Sequence, residues 1–418
     1  MLLKTILNRV QRHAGFVYAS ARLKEQAGRS MVLEVAVRPR KKSRGVCSGC
    51  GCRRPGYDRL QPRRFEFVPL WGMAVFLVYA LRRVNCEPCG VRVEAVPWAE
   101  GKNQLTTTYC WFLAGWAKRL SWLEVARAFG TTWESVFRSV EMAVAWGLKA
   151  RSLENVHSLG IDEIQWQRGH KYLTLVYQID TGRRRLLWIG RDRTLKTLLR
   201  FFRFLGKERC ATLRCICSDM WKPYLRVITK KANQAIHVLD RFHIMSHLSK
   251  AIDEVRADEV RSLKAKGCEP VLTHARWLLL KRPKNLTPKE RPRLAELVRY
   301  NLRSVRAYLL KEDFQSFWAY TSPIRSDWFL DLWCRRTMRS RLEPMKKVAR
   351  MLRAHRPLLL NWFRAKGLIS AGPVEGFNNK AKLVTRRAFG FRTFRAVEAA
   401  LYHSLGALPQ PQHAHRFC

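Results

Sequence analysis

The chain has 418 residues, and its 79 Lys and Arg against 32 Asp and Glu give a formal net charge of +47. Charge of one sign on this scale repels itself in a compact fold and calls for a polyanionic partner, nucleic acid before an anionic membrane surface. With 47% hydrophobic residues the chain is not disordered, the apolar run "VFLVYAL" (75–81) falls far short of the roughly 20 residues that span a bilayer, and "MLLKTILNRVQRHAGF" lacks an apolar signal core.

A soluble, cytoplasmic protein of two or more domains is therefore expected. Twelve cysteines in such a chain should be mostly reduced, so clustered ones indicate metal. They cluster as "CSGCG" (Cys47, Cys50) and "CEPCG" (Cys86, Cys89). Two thiolates at this spacing bind one side of a tetrahedral Zn²⁺, and the glycine after each pair lets the backbone turn beneath the metal. Between the pairs lie the β-like runs "RRFEFV" and "AVFLVYALRRV", so the segment reads as a zinc ribbon with one structural Zn²⁺ on four sulfurs. Cys52 is a possible substitute ligand, although Cys47 and Cys50 match the second knuckle better. A closed four-cysteine site holds a fold together and leaves no position for catalysis.

After a polar linker, "LSWLEVARAFGTTWESVFRSVEMAV" (120–144) carries two helix-period stretches broken at Gly130. This is the pattern of a helix-turn-helix, whose second helix would present Thr132, Glu134, Ser135 and Arg138 to a major groove. An ordinary helical hairpin has the same spacing.

From residue 156 the texture changes to short β-like runs: "HSLGIDEIQW", "KYLTLVYQID" and "RRRLLWIG", then a helical "RTLKTLLRFFRFLG", then "LRCICSD" and "AIHVLDRFHIMSHL". The β-β-β-α-β-α order predicts a mixed sheet covered by helices. Asp162 and Asp219 stand at strand ends and would reach one edge of the sheet if their strands lie side by side. Glu163 adjoins Asp162, but alternation along a strand sends it to the opposite face. Asp240 and His243 end the fifth strand and open the next helix. They are either support for the site or a DNA contact near it, or else an N-cap aspartate with a satisfied histidine. Trp221, Pro223 and Tyr224 follow Asp219 and either line its loop or pack into the core.

Residues 245 to about 368 read as helical. In "LEPMKKVARMLRAHRP" an apolar seam of Met345, Val348 and Leu352 is backed by Lys346, Arg350 and Arg353, either a solvated face or a phosphate-contacting stripe. Gly372-Pro373 marks the start of a further helix, "PVEGFNNKAKLVTRR". On it Glu375, Asn379, Lys382 and Arg386 share one face, opposite Phe377, Ala381 and Val384. Glu375 alone would only complement the helix dipole. Together with two strand-end aspartates it makes three carboxylates on separate elements, a set suited to two Mg²⁺ ions about 4 Å apart in phosphoryl transfer.

The motifs "GIDE", "GHKYLTLVYQID", "CSDMWKPY", "LDRFHIMSHL" and "VEGFNNKAKLVTRRAFGFRTFR", with the zinc knuckles, resemble the DDE transposases of bacterial insertion sequences, in particular the ISL-three family, over nearly the whole chain. The resemblance implies a ribonuclease H-like core with a helical insertion before the final acid, and Asp162, Asp219 and Glu375 as the catalytic triad. It also implies double-stranded DNA as partner, at the inverted repeats of the element and at target sites. Two ends cut together imply a dimer or larger assembly. The expected fold class is α/β and multidomain: a zinc-ribbon domain at 1–100, a helix-turn-helix at 101–152, and a catalytic domain at 153–418 with its insertion at about 250–368. A DNA-binding regulator without catalysis would have no use for three such acids. A metal-dependent nuclease without strand joining would share the same residue types.

Overall fold

The computed structural model describes residues 2–26, 29–268, 271–365 and 373–411. Gly372, expected to open a helix, lies outside these residues, as do 366–368 of the expected insertion. The chain forms two compact units, one of residues 1–151 with 387–418 and the other of residues 152–386.

The first unit begins with α1 (Leu3–Val10), β1 (Phe16–Gln26) and β2 (Arg29–Pro39), followed by the two-residue strands β3 (Gly45–Val46) and β4 (Arg53–Arg54). Then come the long hairpin β5 (Gly56–Leu70) and β6 (Met73–Cys86), and β7 (Gly90–Val93). The sheet order is β1-β2-β6-β5, with β7 also paired to β6 and only the β2–β6 pair parallel. Val35, Leu77, Tyr79 and Phe65 line its buried face around Trp98. The hairpin β1–β2 adds to the ribbon expected here. Its period-2 run Leu33, Val35, Val37 buries one face, as a half-solvated antiparallel strand must. Helices α2 (Thr107–Ala117), α3 (Trp122–Ala128) and α4 (Trp133–Ala150) follow. Ser121 and Glu124 close α3 with a reciprocal capping box, and Thr132 caps α4 through the Ser135 N–H.

The second unit has a five-stranded sheet of β8 (Ser158–Gln167), β9 (Lys171–Asp180), β10 (Arg183–Arg191), β11 (Cys215–Ser218) and β12 (Ile236–Leu239), in the order β10-β9-β8-β11-β12. The first three strands are antiparallel; β8, β11 and β12 run parallel. Helices α5 (Leu195–Leu205) and α6 (Lys207–Ala211) link β10 to β11, and α7 (Lys222–Lys231) links β11 to β12. Parallel neighbours need such a crossover. The sequence reading missed α7, whose ten residues begin at "KP" directly after the acid. Leu159, Ile161, Val176 and Ile216 pack on Phe201 of α5 and Val227 of α7, covering one sheet face.

The helical stretch comprises α8 (Arg241–Ala265), α9 (Arg276–Leu280), α10 (Glu290–Arg299), α11 (Arg303–Gln315), α12 (Pro323–Met338), α13 (Glu343–Ala354) and α14 (Arg356–Arg364). Their core joins Leu248 and Ile252 to Phe314, Trp333 and Met345. Within it the buried Glu259 carboxylate accepts the free backbone N–H groups of Arg303 and Ser304 at 2.7 and 2.8 Å, capping α11 from α8. No helix among the described residues is long and apolar enough to cross a membrane.

Helix α15 (Pro373–Arg387) then covers the other face of β8, with Val374, Asn378 and Ala381 buried and Phe377 stacked on Tyr177 at 4.8 Å. Gly160 makes this possible, because a Cβ there would collide with Val374. The last helix among the described residues, α16 (Phe394–Leu405), packs on α4 within the first unit. Val397 and Leu401 of this helix are buried, and the second compact unit ends at residue 386. Gly160→Ala should lower stability by about 1–3 kcal/mol through this overpacking, read as a fall in the urea midpoint, whereas Gly56→Ala, where a Cβ meets only open space, should not collide with anything.

Candidate functional site

Two groups of possible metal-binding side chains occur among the described residues. In the first, the sulfurs of Cys47, Cys50, Cys86 and Cys89 all lie within 4.8 Å of one another. Corners of a tetrahedron with zinc–sulfur bonds of about 2.3 Å are about 3.8 Å apart, so the cluster fits that ion. Cys47 follows β3 and Cys86 ends β6, which holds both buried, while Cys50 and Cys89 come from the turns that follow. Gly51 and Gly90 close those turns with φ of +72° and +71°, a region open to glycine. The Cys52 N–H and its neighbours lower the Cys50 thiol to about 6, while burial raises Cys89 to about 12. Cys52 is exposed, with its thiol 3.8 Å from the Cys50 carbonyl, and is not among the four clustered sulfurs.

The second group lies where β11 and β12 end alongside β8. The β8–β11 register pairs Cys215 with Ser158, Ile216 with Leu159 and Cys217 with Gly160, so two further steps bring Asp219 level with Asp162. On the other side Ser218 pairs with Leu239, and the Asp240 N–H donates to the Ser218 carbonyl at 2.9 Å. Asp219 and Asp240 each stand one residue past the end of their strand, while Asp162, expected at a strand end, lies inside the ten-residue β8, just beyond its pairing with β11. Asp162 is buried: one oxygen accepts the Asn378 amide from α15 and the other the Glu163 N–H at 2.7 Å. Burial raises its pKa, against the pull of the His243 charge.

Asp240 caps α8 through the Phe242 N–H at 2.8 Å, and its second oxygen lies 3.2 Å from His243 Nδ1. His243 Nε2 is 3.8 Å from Asp162 Oδ1. Burial would lower this imidazole, but the Asp240 hydrogen bond and the charges of Asp162, Asp240 and Asp219 raise it to about 9.

Asp219 accepts the Trp221 N–H at 2.9 Å and binds the Arg193 guanidinium at 2.8 Å. Arg193 also lies 3.1 Å from Glu163 and stacks over the Trp221 ring at 4.6 Å. Glu163 points to the α5–α7 face, away from Asp162, yet shares its cation with Asp219. Tyr224 is fully buried, its hydroxyl 2.7 Å from Thr174, and so belongs to the core.

With this geometry in view, comparison with known proteins is decisive. A sequence model of the DDE transposases of the ISL3 family, described as "Transposase", matches residues 159–401. The chain belongs to that family. Among curated relatives, the transposase for insertion sequence element IS1557 of two Mycobacterium tuberculosis strains is 30% identical over 401 residues, covering 90% of this chain and 89% of that one. The transposase for insertion sequence element IS1001 of Bordetella parapertussis is 27% identical over 350 residues, covering 83% of this chain and 85% of its own.

In the transposase, Glu375 is exposed in the first turn of α15, three residues before the Asn378 that binds Asp162. Positions three apart are neighbours on a helix surface. Asn379, Lys382 and Arg386 are exposed along the same helix. On α4 Thr132 and Arg138 are exposed and Ser135 is half-buried; Arg138 pairs with Glu134 at 2.6 Å. On α13 Lys346 and Arg350 share Glu343, at 3.6 and 2.8 Å, and Arg353 is exposed.

The sequence reading missed Asn378 and Arg193. A helix-face count shows that position 378 borders Val374 and Ala381, which marks it as a buried amide; nothing local marks Arg193. Glu163 was assigned the correct face but no partner.

Glu163 gives a pH test. Burial, reinforced by the Asp219 charge, raises its pKa from 4.5 to about 8. The folded state then binds the extra proton between these values, so this carboxyl's contribution to stability falls as pH rises from about 4.5 to about 8 and is level beyond. Metal-free Glu163→Gln should gain stability over the parent at pH 9, on the order of a few kcal/mol, and show no such gain at pH 4, measured by urea unfolding at both.

Proposed function

We propose that this transposase binds double-stranded DNA at the terminal inverted repeats of its element and cuts and joins DNA strands there. In this reading the sheet of the second unit is a ribonuclease H-like core, and Asp162, Asp219 and Glu375 hold two Mg²⁺ ions. One observation carries it: Asp162 on β8 stands level with Asp219, just past the carboxyl end of the adjacent parallel strand β11, and the helix bearing Glu375 is docked across β8. Ligands of open α/β sheets bind at such carboxyl ends.

The donor set fits hard divalent ions. It consists of carboxylate oxygens on rigid elements, and the chain already sets a cation, the Arg193 guanidinium, between Glu163 and Asp219. When bound, Mg²⁺ supplies a lowered pKa for the attacking water or 3′-hydroxyl and charge neutralisation at the leaving oxygen. Asn378 and the Glu163 N–H orient the Asp162 carboxylate from its two oxygens, and the Trp221 N–H and Arg193 do the same for Asp219. Asp240 and His243 support the site from the helix behind it.

DNA binding falls to Thr132, Ser135 and Arg138 at the start of α4, as the second helix of a helix-turn-helix, and to Lys346, Arg350, Arg353, Asn379, Lys382 and Arg386. The intrachain ion pairs of Arg138, Lys346 and Arg350 are solvent-facing and worth about 0–1 kcal/mol each, so phosphate can displace them. A structural Zn²⁺ on Cys47, Cys50, Cys86 and Cys89 would pin β3 to the end of β6, and cleavage of paired ends would engage a dimer or larger assembly.

The test is cleavage and strand transfer on a labelled duplex carrying the terminal repeat, with and without Mg²⁺. Asp162→Asn, Asp219→Asn and Glu375→Gln should each reduce both reactions by about 10³-fold or more while leaving repeat binding intact. Binding without metal-dependent cleavage, indifferent to Asp219→Asn, would reduce the protein to a DNA-binding regulator; cleavage without joining would make it a nuclease. For the ribbon, elemental analysis should find one zinc per chain, lost in Cys86→Ser together with the thermal stability of the first unit.

A further inference from the structure

Asp162, Asp240 and His243 each offer a ligand atom within 4.8 Å of the others. Helix capping accounts for two of the contacts here, Asp240 with the Phe242 N–H and Asp240 with Nδ1 of His243. It does not account for Nε2, which is turned toward Asp162 Oδ1 at 3.8 Å. That gap is too wide for a hydrogen bond, which ends near 3.2 Å. It suits two ligands of one cation: donors each about 2.0–2.2 Å from a first-row ion stand about 3–4 Å apart. The carboxylate on Nδ1 completes a recurring arrangement, in which a ligating histidine gives its other N–H to an acid that fixes tautomer and ring orientation. The side chain of His243 is 31% exposed, so an ion can reach it, while Asp162 is held from both sides by Asn378 and the Glu163 N–H.

We propose that Nε2 of His243 is a direct ligand of the cation bound by Asp162, with Asp240 as its positioning residue. This rests on the reading of Asp162 as a metal ligand and changes the character of that site from all-oxygen to mixed nitrogen and oxygen. An imidazole ligand favours transition ions over Mg²⁺, which prefers oxygen and keeps its waters. The site then takes Mn²⁺ in preference to Mg²⁺.

The experiment is pulsed electron paramagnetic resonance of Mn²⁺ added to the purified full-length protein, unlabelled and with ¹⁵N-histidine. The expected result is a ¹⁴N coupling on bound Mn²⁺ that becomes a ¹⁵N coupling on labelling. His243→Ala should remove it and weaken Mn²⁺ binding by about 10–100-fold while changing Mg²⁺ binding less; Asp240→Asn should keep the coupling and weaken binding. The wild-type spectrum decides the matter even where a variant does not fold. Mn²⁺ that is bound and lost in Asp162→Asn, but carries no histidine coupling, overturns the His243 assignment and leaves Asp162 as a ligand. No Mn²⁺ binding that depends on Asp162 overturns the underlying reading and the proposal with it.

Discussion

A buried carboxylate on a central strand destabilises a sheet unless a donor reaches it, and for Asp162 that donor arrives from 216 positions away in the chain, the Asn378 amide. The geometry is one of matched rises. Val374 rests over Gly160 and Asn378 meets Asp162. Four residues of helix advance about 6 Å and two of strand about 6.6 Å, so both contacts form at once. Tyr177, on the neighbouring strand, donates its hydroxyl to the Asn378 carbonyl at 2.9 Å and fixes which way the amide points. Everything between residues 241 and 365 must fold so that α15 returns to this line. The hydrophobic core of α8 to α14 and the buried cap from Glu259 to α11 serve that end.

The two aspartates at this edge are not equivalent. Asp162 is buried under α15 and answers to an amide and an imidazole; Asp219 sits past its strand and answers to a guanidinium shared with Glu163. Like charges this close repel, and each is tolerated because a different element supplies the counter-charge or the donor. The result is a local negative centre inside a chain of strongly positive overall charge. Such a centre attracts cations, while the surrounding surface attracts the polyanion on which the ions would act.

Much of this architecture can be read without coordinates. Paired cysteines followed by glycine, the three β-runs from 156 to 191, the amphipathic face of α15 and the opposed sides of Asp162 and Glu163 all follow from spacing and period. What escapes is of two kinds. Contacts across long sequence separations, such as Asn378 with Asp162 or Arg193 with Asp219, depend on register that no local pattern encodes. Local signals were also outweighed by neighbours: α7 hides behind the acid and Trp221, and β1–β2 behind the more conspicuous cysteines. The closure of the second unit at 386 belongs to the first kind, because α16 reads as a plain amphipathic helix until α4 is there to receive it.

That last helix has a bearing on how the protein is made. Leu408 lies so near Gly147 that a Cβ there would come within 2.7 Å, so the tail of the chain completes the packing of a helix made long before. During synthesis the second unit emerges whole between the two segments of the first. At about 5–20 residues per second the first 151 residues wait for tens of seconds with the α16-facing side of α4 uncovered. The second unit can fold in that interval, and α4 gains its full packing only after residues 394–408 have emerged.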